Sequence, residues 1–151
     1  METTTTKNTA ALIHLSTLTQ YLIPFGNYIF PIVIWSSTKD KSEYINVQGK
    51  NAINFQLSLF LYSMVLGVIA FPILFMTVLK NVSFTTLFNN NEWILSDLNF
   101  ANLTGIVVVA LTAAVCFFTL KVVEFFLIIY ASVKSSNGED FQYPLTIPFI
   151  K

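Results

Sequence analysis

Two charged side chains, Lys121 and Glu124, lie inside a long apolar block near the end of the chain. Their i, i+3 spacing places them on one face of a helix, where they can pair. Counted from Lys134, Glu124 lies about 15 Å along the helix axis, near the middle of a bilayer. A charge there costs at least about 2.5–3.5 kcal/mol. We therefore expect Glu124 to point into a bundle or be protonated. It could handle protons or cations, but an ion pair that fixes packing is favoured, because one acidic residue defines no pathway.

Polar residues also recur at helical spacing on two other segments. The later segment carries a polar stripe that consists of Asn51, Asn54, Ser58 and Tyr62. The earlier one carries a similar face of His14, Thr17 and Tyr21. Because polar side chains are unfavourable against lipid, both faces are expected to meet other helices through hydrogen bonds. The alternative is a substrate or metal site built from His14, Asn54, Ser58 and Glu124.

Other reactive arrangements are absent from the sequence. The single His has no His-x-x-Glu spacing, so we expect no protein-only metal site and no cofactor. Cys116 lies in an apolar run and is interpreted as a small hydrophobic residue. Neither a Ser-His-Asp arrangement nor a Gly-rich phosphate loop occurs, which argues against an enzyme. All basic residues are Lys, and without Arg a nucleic acid is a poor candidate as partner.

The composition defines the protein class. The chain has 151 residues, of which 54% are hydrophobic and only 11% charged, and its mean hydropathy is +0.66. A soluble domain of this size needs more polar residues to cover its surface. An ordinary soluble enzyme, a disordered chain and a disulfide scaffold are therefore excluded. The sequence predicts an all-α integral membrane protein whose first partner is the lipid bilayer.

Lysines divide the chain into three apolar blocks, each longer than the ~20 residues that a spanning helix needs. We predict one domain over 1–151, a bundle of three to four transmembrane helices of which the last two are long. Its parts are an N-terminal tail 1–9, a broken first segment 10–37, a cytoplasmic connector 39–50, a helix 51–79, an extracytoplasmic cap 80–102 that includes Trp93, a helix 103–134 and a cytoplasmic tail 135–151.

The first segment is broken at Pro24, Phe25, Gly26 and Asn27. Proline disfavours helix in the residue before it, and Gly-Asn readily forms a turn. One alternative is a single kinked helix across the bilayer. The other, slightly favoured, is a hairpin of two short helices, about 10–22 and 28–37, with its tip at Gly26.

The distribution of Lys predicts the orientation. Five Lys residues lie in the connector and the tail, and Lys80 alone lies opposite; in the hairpin alternative, Lys7 joins the larger group. The connector and the C-terminus are therefore predicted to be cytoplasmic. With no cleavable signal recognised, a multi-pass protein of the bacterial inner membrane is expected. Trp35 fits an anchor at the membrane interface.

Several short motifs resemble a known family. The resemblance rests on Pro24, Phe25, Gly26 and Asn27, on Gly49, Lys50, Asn54, Phe55 and Gln56, and on Gly138, Glu139, Tyr143 and Pro144. Together these motifs look like the small bacterial membrane proteins related to the twenty-kilodalton subunit of the chloroplast inner-envelope protein translocon. The resemblance implies a three- or four-helix bundle with the signature segments facing the cytoplasm, and it implies no reaction.

Two functions remain open at this point. The favoured one is a non-catalytic subunit or scaffold of a membrane transport or translocation assembly, with a protein partner or a homo-oligomer in the membrane. The alternative is a small oligomeric transporter or channel that uses Glu124 and Lys121, since interrupted helices often line binding sites. We also expect the tail to fold back and pack Phe141, Tyr143 and Phe149 against the helix ends.

Overall fold

The chain folds as helices. The computed structural model describes residues 2–81 and 105–151, and these ranges contain no strand. The α-helices are α1 (Thr4–Ser16), α2 (Gly26–Thr38), α3 (Glu43–Asn81) and α4 (Gly105–Asn137). Short 3₁₀ segments follow α1 (Thr17–Tyr21) and α2 (Lys39–Lys41). The C-terminal tail, residues 138–151, follows α4 without regular secondary structure. The predicted cap, apart from the end of α3, and its Trp93 lie outside the described residues.

The chain divides into two compact units. The first unit consists of Met1–Leu61 and Leu120–Lys151, and the second of Tyr62–Thr119. In the first unit, Ile13, Ile45 and Ala52 form a buried apolar cluster, against which Ile34 and Trp35 pack. This unit also contains His14, Asn54, Ser58, Lys121 and Glu124, whereas Tyr62 of the polar stripe belongs to the second unit.

The turn between α1 and α2 follows directly from its residues. The hydroxyls of Thr17 and Thr19 donate to carbonyls three residues earlier, which favours the tighter 3₁₀ winding after α1. Pro24 follows, and Phe25 then adopts a left-handed backbone with φ of 62°. A Cβ on Gly26 would lie 2.8 Å from the carbonyl carbon of Thr19, so a side chain here would collide with backbone. Gly26 thus allows α2 to begin against the preceding segment.

Both ends of this α1–α2 hairpin lie together. Ser42, just before α3, donates a hydrogen bond to the carboxylate of Glu2 at 3.1 Å. Lys7 donates to the main-chain oxygen of Asn137, the last residue of α4, at 3.1 Å. The N-terminus, the start of α3 and the end of α4 are therefore neighbours. Of the two alternatives for the first apolar segment, the structure contains the hairpin rather than the single kinked helix.

Helix α3 begins at Glu43, inside the segment 39–50 expected to be a connector. The hydroxyl of Ser42 accepts a hydrogen bond from the amide of Tyr44, which caps the helix start. The helix then continues through Gly49, where a Cβ would overlap the ring of Trp35. Close packing of Trp35 on Gly49 extends α3 about two turns before the predicted start at residue 51.

Helix α4 ends in a well-defined cap. The amide of Gly138 donates to Ser135 and the amide of Glu139 donates to Lys134, both at 3.1 Å, and Gly138 has φ of 82°. This is the Schellman arrangement, in which glycine supplies the left-handed residue. It extends α4 to Asn137, beyond the predicted end at 134, and redirects the tail.

The two long helices are apolar and exposed. Glu43–Met76 and Val107–Asn137 each have the length and composition to cross a membrane. Only 11% and 17% of their most apolar windows are buried inside the chain. The core helix of a soluble protein would be mostly buried, so these surfaces fit contact with lipid.

Candidate functional site

Glu124 of α4 is completely buried, and both of its oxygens have partners. Lys121 Nζ lies 2.8 Å from Oε2, so the ion pair predicted from the i, i+3 spacing is present. Gln20 Nε2 donates to Oε1 at 2.9 Å from the 3₁₀ segment of the hairpin. The Lys121 side chain is 34% exposed, whereas Glu124 is inaccessible. The hydrogen bond from Gln20 joins the hairpin to α4, and Lys121 supplies the opposite charge to Glu124 from the same helix.

A second network surrounds His14, which is inaccessible and uses both ring nitrogens. Tyr143 Oη lies 2.9 Å from Nδ1, and Gln48 Oε1 lies 3.1 Å from Nε2. Since the amide oxygen of Gln48 can only accept, Nε2 carries the proton and Nδ1 accepts from Tyr143. Gln48 Nε2 donates in turn to Asp140 at 3.4 Å. The chain of hydrogen bonds thus runs from a buried tyrosine to an exposed carboxylate.

Burial keeps the two central side chains of this network, His14 and Tyr143, uncharged. Removing His14 from water lowers its pKa to about 4, partly offset by the hydrogen bond to Gln48. The same effect raises the pKa of Tyr143 above its ordinary value, and the negative charge of Glu124 adds to the rise. At neutral pH, an uncharged imidazole and an uncharged phenol therefore hold the tail to α1.

The polar stripe of α3 holds the C-terminal tail rather than another helix. Asn51 Nδ2 donates to the carbonyl of Phe141 at 2.8 Å. Asn54 donates to the carbonyl of Ile150 at 3.0 Å and accepts from the amide of the same residue at 2.8 Å. Ser58 Oγ accepts from the amide of Ile147 at 2.8 Å. Asn51, Asn54 and Ser58 were expected to meet other helices. In the structure their side chains bind the main chain of the C-terminal tail instead.

An aromatic stack completes the attachment of the tail. Tyr143 is 6% exposed and lies parallel to the ring of Phe55, with centroids 3.9 Å apart. Phe141 meets Tyr143 edge-on at 4.9 Å. Phe149 is 48% exposed. Of the three aromatic residues expected to pack, Tyr143 is buried and Phe141 half-buried, whereas Phe149 lies largely outside.

The start of α2 is attached to α3 by amide groups. Asn27 Nδ2 donates to Gln56 Oε1 at 2.7 Å, and Tyr28 donates to the main-chain oxygen of Gln56 at 3.3 Å. Both Asn27 and Gln56 are buried. Among the residues that the structure describes, the Nε2 of Gln56 has no hydrogen-bond partner. These contacts explain why an amide residue occurs at the start of α2, which is otherwise largely apolar.

The structure distributes the predicted site residues over separate networks. His14, Glu124 and the pair Asn54–Ser58 each have different partners, so the proposed cluster of all four is not assembled through these contacts. The signature residues lie at the hairpin turn (Pro24, Phe25, Gly26, Asn27), on α3 (Gly49, Lys50, Asn54, Phe55, Gln56), at the end of α4 (Gly138, Glu139) and in the tail (Tyr143, Pro144). Within residues 2–81 and 105–151, no three His, Cys, Asp or Glu side chains are grouped to hold a metal ion.

Gln20 and Gln48 are the functional residues that sequence reasoning missed. Each is the direct partner of a predicted residue, Glu124 and His14 respectively. Their signal was available, since a glutamine in or beside an apolar block must find a partner once it is buried. Which partner each finds depends on packing between distant segments.

One comparison identifies the family. The model of the MamF/MmsF family, described as the magnetosome magnetite crystal formation protein family, matches residues 5–150. No curated protein and no solved structure matches. Because the match spans nearly the whole chain, the chain belongs to this family.

This finding corrects the resemblance drawn from short motifs. The match is to a magnetosome family, so the relation to the chloroplast translocon subunit is wrong, and nothing supports the translocation role that it suggested. The match is still consistent with the prediction that the chain belongs to a family of small bacterial membrane proteins. The structure explains why these motifs did not identify the family. A glycine turn, a tryptophan packed on glycine and a helix cap are general ways to pack short helices, and they occur in unrelated families.

Proposed function

We propose that this member of the magnetosome magnetite crystal formation family acts as a non-catalytic membrane scaffold or subunit. One observation carries the proposal: Glu124 and His14, the two fully buried titratable side chains among the predicted site residues, are bound by the chain itself. Glu124 uses both oxygens, on Lys121 and Gln20, and His14 uses both nitrogens. Side-chain atoms that are bound in this way stabilise the fold and are not free to bind a substrate.

The scaffold is proposed to lie in a bacterial membrane as a multi-pass protein, and the family description favours the magnetosome membrane. Lys7, Lys39 and Lys134 lie on segments that the structure brings together at one end of the first unit. By the positive-inside rule, that end faces the cytoplasm together with the C-terminus. The scaffold would act there on another protein or on a second copy.

The alternative is a small oligomeric transporter or channel. One feature favours it: the Lys121 side chain is 34% exposed although its partner is buried. Movement of Lys121 away from Glu124 would free a carboxylate for a proton or cation. Such a pathway would need several copies, because short helices enclose little space.

Isolation of the tagged protein from native membranes in a mild detergent tests the scaffold role. The mass of the complex and the identity of its components are measured. A stoichiometric protein partner, or a defined homo-oligomer that carries no flux, is the expected result. An oligomer that contains no foreign partner and carries pH-dependent flux in liposomes would contradict it.

Two variants separate the alternatives. Glu124→Gln keeps the size and the hydrogen-bonding capacity of the side chain but removes its charge, and Lys121→Met removes the partner. For a scaffold, Glu124→Gln should keep its partners with a modest change in stability. For a transporter, it should abolish pH-dependent flux in liposomes while the protein still folds.

A further inference from the structure

The α1–α2 hairpin reaches a limited depth along the long helices. Gln20, at the end of its first arm, binds Glu124, which lies about 20 Å from the end of α4 at 1.5 Å per residue. Asn27, at the start of its second arm, binds Gln56, which lies about 20 Å from the start of α3. Two independent contacts therefore place the tip of the hairpin, residues 22–25, about 20 Å from those helix ends.

This depth is about half of a bilayer. A bilayer is about 40–45 Å thick with its headgroups, and its hydrocarbon core is about 30 Å thick. Helices α1 and α2 have 13 residues each, or about 20 Å, so neither crosses the core alone. Glu43–Met76 and Val107–Asn137, by contrast, have the length and composition to cross it. The hairpin has the dimensions of an element that enters a membrane from one side and returns.

The tip of the hairpin is apolar and exposed. Leu22, Ile23 and Phe25 are 84%, 47% and 68% exposed. Turns at a water surface are built mainly from Gly, Pro, Asn, Asp and Ser, whereas three large apolar side chains together are unfavourable there. Exposed apolar side chains also lie along both arms, namely Leu12 and Leu15 on α1 and Ile29 and Val33 on α2. Acyl chains are the environment that fits this surface.

The backbone of the turn is also suited to hydrocarbon. The amides of Leu22 and Ile23 donate to the carbonyl of Thr19 at 3.0 and 2.9 Å, and the amide of Gly26 donates to the carbonyl of Ile23 at 3.0 Å. Pro24 has no amide hydrogen. Because hydrocarbon offers no water to a free amide, a turn inside it must satisfy its own donors. Four of the five residues of the turn meet this condition.

The open end of the hairpin carries the charges. Lys39 and Lys41 are exposed beside Asp40, just after α2. Lys39 Nζ lies 5.1 Å from the ring of Trp35, and tryptophan beside lysine is typical of a membrane interface. Lys7, on the other arm, binds the end of α4. The hairpin thus changes from charged to apolar along its length, as an element that enters from one face requires.

The C-terminal tail turns back at a similar depth. Ser58, about 20 Å from the start of α3, binds the amide of Ile147. Asn54, one turn nearer the start of the helix, binds Ile150 with two hydrogen bonds. Leu145, just before this point, is 79% exposed and has φ of 57°. The tail therefore descends along α3 and returns, as the hairpin does.

We propose that the hairpin and the tail are re-entrant elements that occupy the cytoplasmic leaflet without reaching the opposite one. Their partner is lipid: acyl chains of that leaflet contact Leu22, Ile23 and Phe25, and its headgroups contact the lysines at the open end. The inference goes beyond the scaffold function and takes only the name of the leaflet from the orientation proposed with it. Because both elements add area to one leaflet alone, the protein prefers a membrane in which that leaflet is convex.

Depth-dependent quenching tests the insertion. Cys116→Ala removes the exposed native thiol, and Leu22→Cys at the tip or Lys41→Cys at the open end then carries a bimane label. The protein is reconstituted in phosphatidylcholine vesicles that contain nitroxide lipids, with the nitroxide on the headgroup or near the chain end. The label at Leu22 is expected about 20 Å deeper than the label at Lys41. Equal depths would overturn the inference, because a hairpin that crosses or lies in water places both labels at a surface.

A second labelled position keeps the test decisive if Leu22→Cys fails to fold. Val33 lies near the middle of α2 and is 58% exposed. The label on Val33→Cys is expected at a depth between the other two. A hairpin that crosses would place this label near the midplane, deeper than the one at Leu22, and that order would contradict the proposal.

Vesicle size tests the preference for curvature. Lys41→Cys in the Cys116→Ala background is reconstituted in small sonicated and in large extruded vesicles of phosphatidylcholine. A membrane-impermeant maleimide then measures the fraction of protein whose open end faces outwards. That fraction is expected to be higher in the small vesicles, whose outer leaflet is strongly convex. Equal fractions in the two sizes would overturn the preference.

These outcomes are separate from those that test the scaffold. Equal label depths would overturn the re-entrant insertion and leave the scaffold role standing. An oligomer without a foreign partner that carries pH-dependent flux would overturn the scaffold role and leave the measured depths as they are.

Discussion

The two units of the chain use polar side chains in different ways. In the first unit, His14, Glu124 and Asn54 bond to residues more than a hundred, or nearly a hundred, positions away. In the second unit, the hydroxyls of Thr112 and Thr119 bond to carbonyls four residues earlier on their own helix. Lipid-exposed helices can satisfy a hydroxyl locally, whereas a buried amide or carboxylate needs a partner from another segment. Among the residues that the structure describes, these long-range hydrogen bonds therefore make the first unit the part whose tertiary structure depends on specific polar side chains.

If the two units differ in this way, removal of the tail should reduce the stability of the protein more than any other change. Deletion of 141–151 loses the burial of Tyr143 and four hydrogen bonds to α3, which together amount to about 5 kcal/mol. Thermal unfolding in detergent should show a markedly lower Tm. An unchanged Tm would mean that the tail contacts contribute nothing, and the contrast between the units would then fail.

The next largest loss of stability is expected when the cation beside Glu124 is removed. Lys121→Met leaves a buried carboxylate without its counter-charge, which costs about 3 kcal/mol. Glu124→Gln should cost less, because it leaves no uncompensated charge. Chemical denaturation of the two variants in the same detergent measures the order. A more stable Lys121→Met variant than Glu124→Gln would contradict the pairing as a packing device.

The buried His14 makes stability depend on pH. Its folded pKa, about 4, lies below the unfolded value of 6.5, so the unfolded chain binds the proton more readily between these values. Stability should be full above pH 6.5 and fall by about 3 kcal/mol as pH drops to 4. Melting curves across this range check it. His14→Gln, which does not titrate, should flatten this part of the pH profile, and an unchanged profile would exclude His14 as the cause.

A smaller effect is expected from one hydroxyl. Tyr143→Phe keeps the stack on Phe55 but leaves the Nδ1 of His14 unsatisfied, at a cost of about 1–3 kcal/mol. Tm measurements should place it between the tail deletion and the wild type. A loss equal to that of the full deletion would show that the hydroxyl, and not the main-chain contacts, holds the tail.

The smallest effect is expected in the second unit. Thr112→Val removes an exposed hydroxyl whose hydrogen bond is to Val108 of its own helix, so the change in stability should stay within about 0.5 kcal/mol. This variant is the matched control for Ser58→Ala, which removes a hydroxyl that binds the amide of Ile147. Equal losses in the two variants would remove the distinction between the units.

Composition and local chemistry already determined much of this protein. Few charges and long apolar blocks are incompatible with a water-exposed surface, so the membrane class follows from the sequence. The pairing of Lys121 with Glu124 follows from helical spacing, and the break at Pro24 to Asn27 from backbone restrictions on proline and glycine. Each of these features depends on residues that are neighbours in the chain.

Only the tertiary structure decided what the remaining polar residues do. The stripe at Asn51, Asn54 and Ser58 was visible as a helical face, but its partner, the tail, lies some ninety residues later. Gln20 and Gln48 gained their roles when the hairpin packed against α4 and α3. A helical pattern tells which side of a helix must be covered. Which segment covers it is a property of how distant parts of the chain pack.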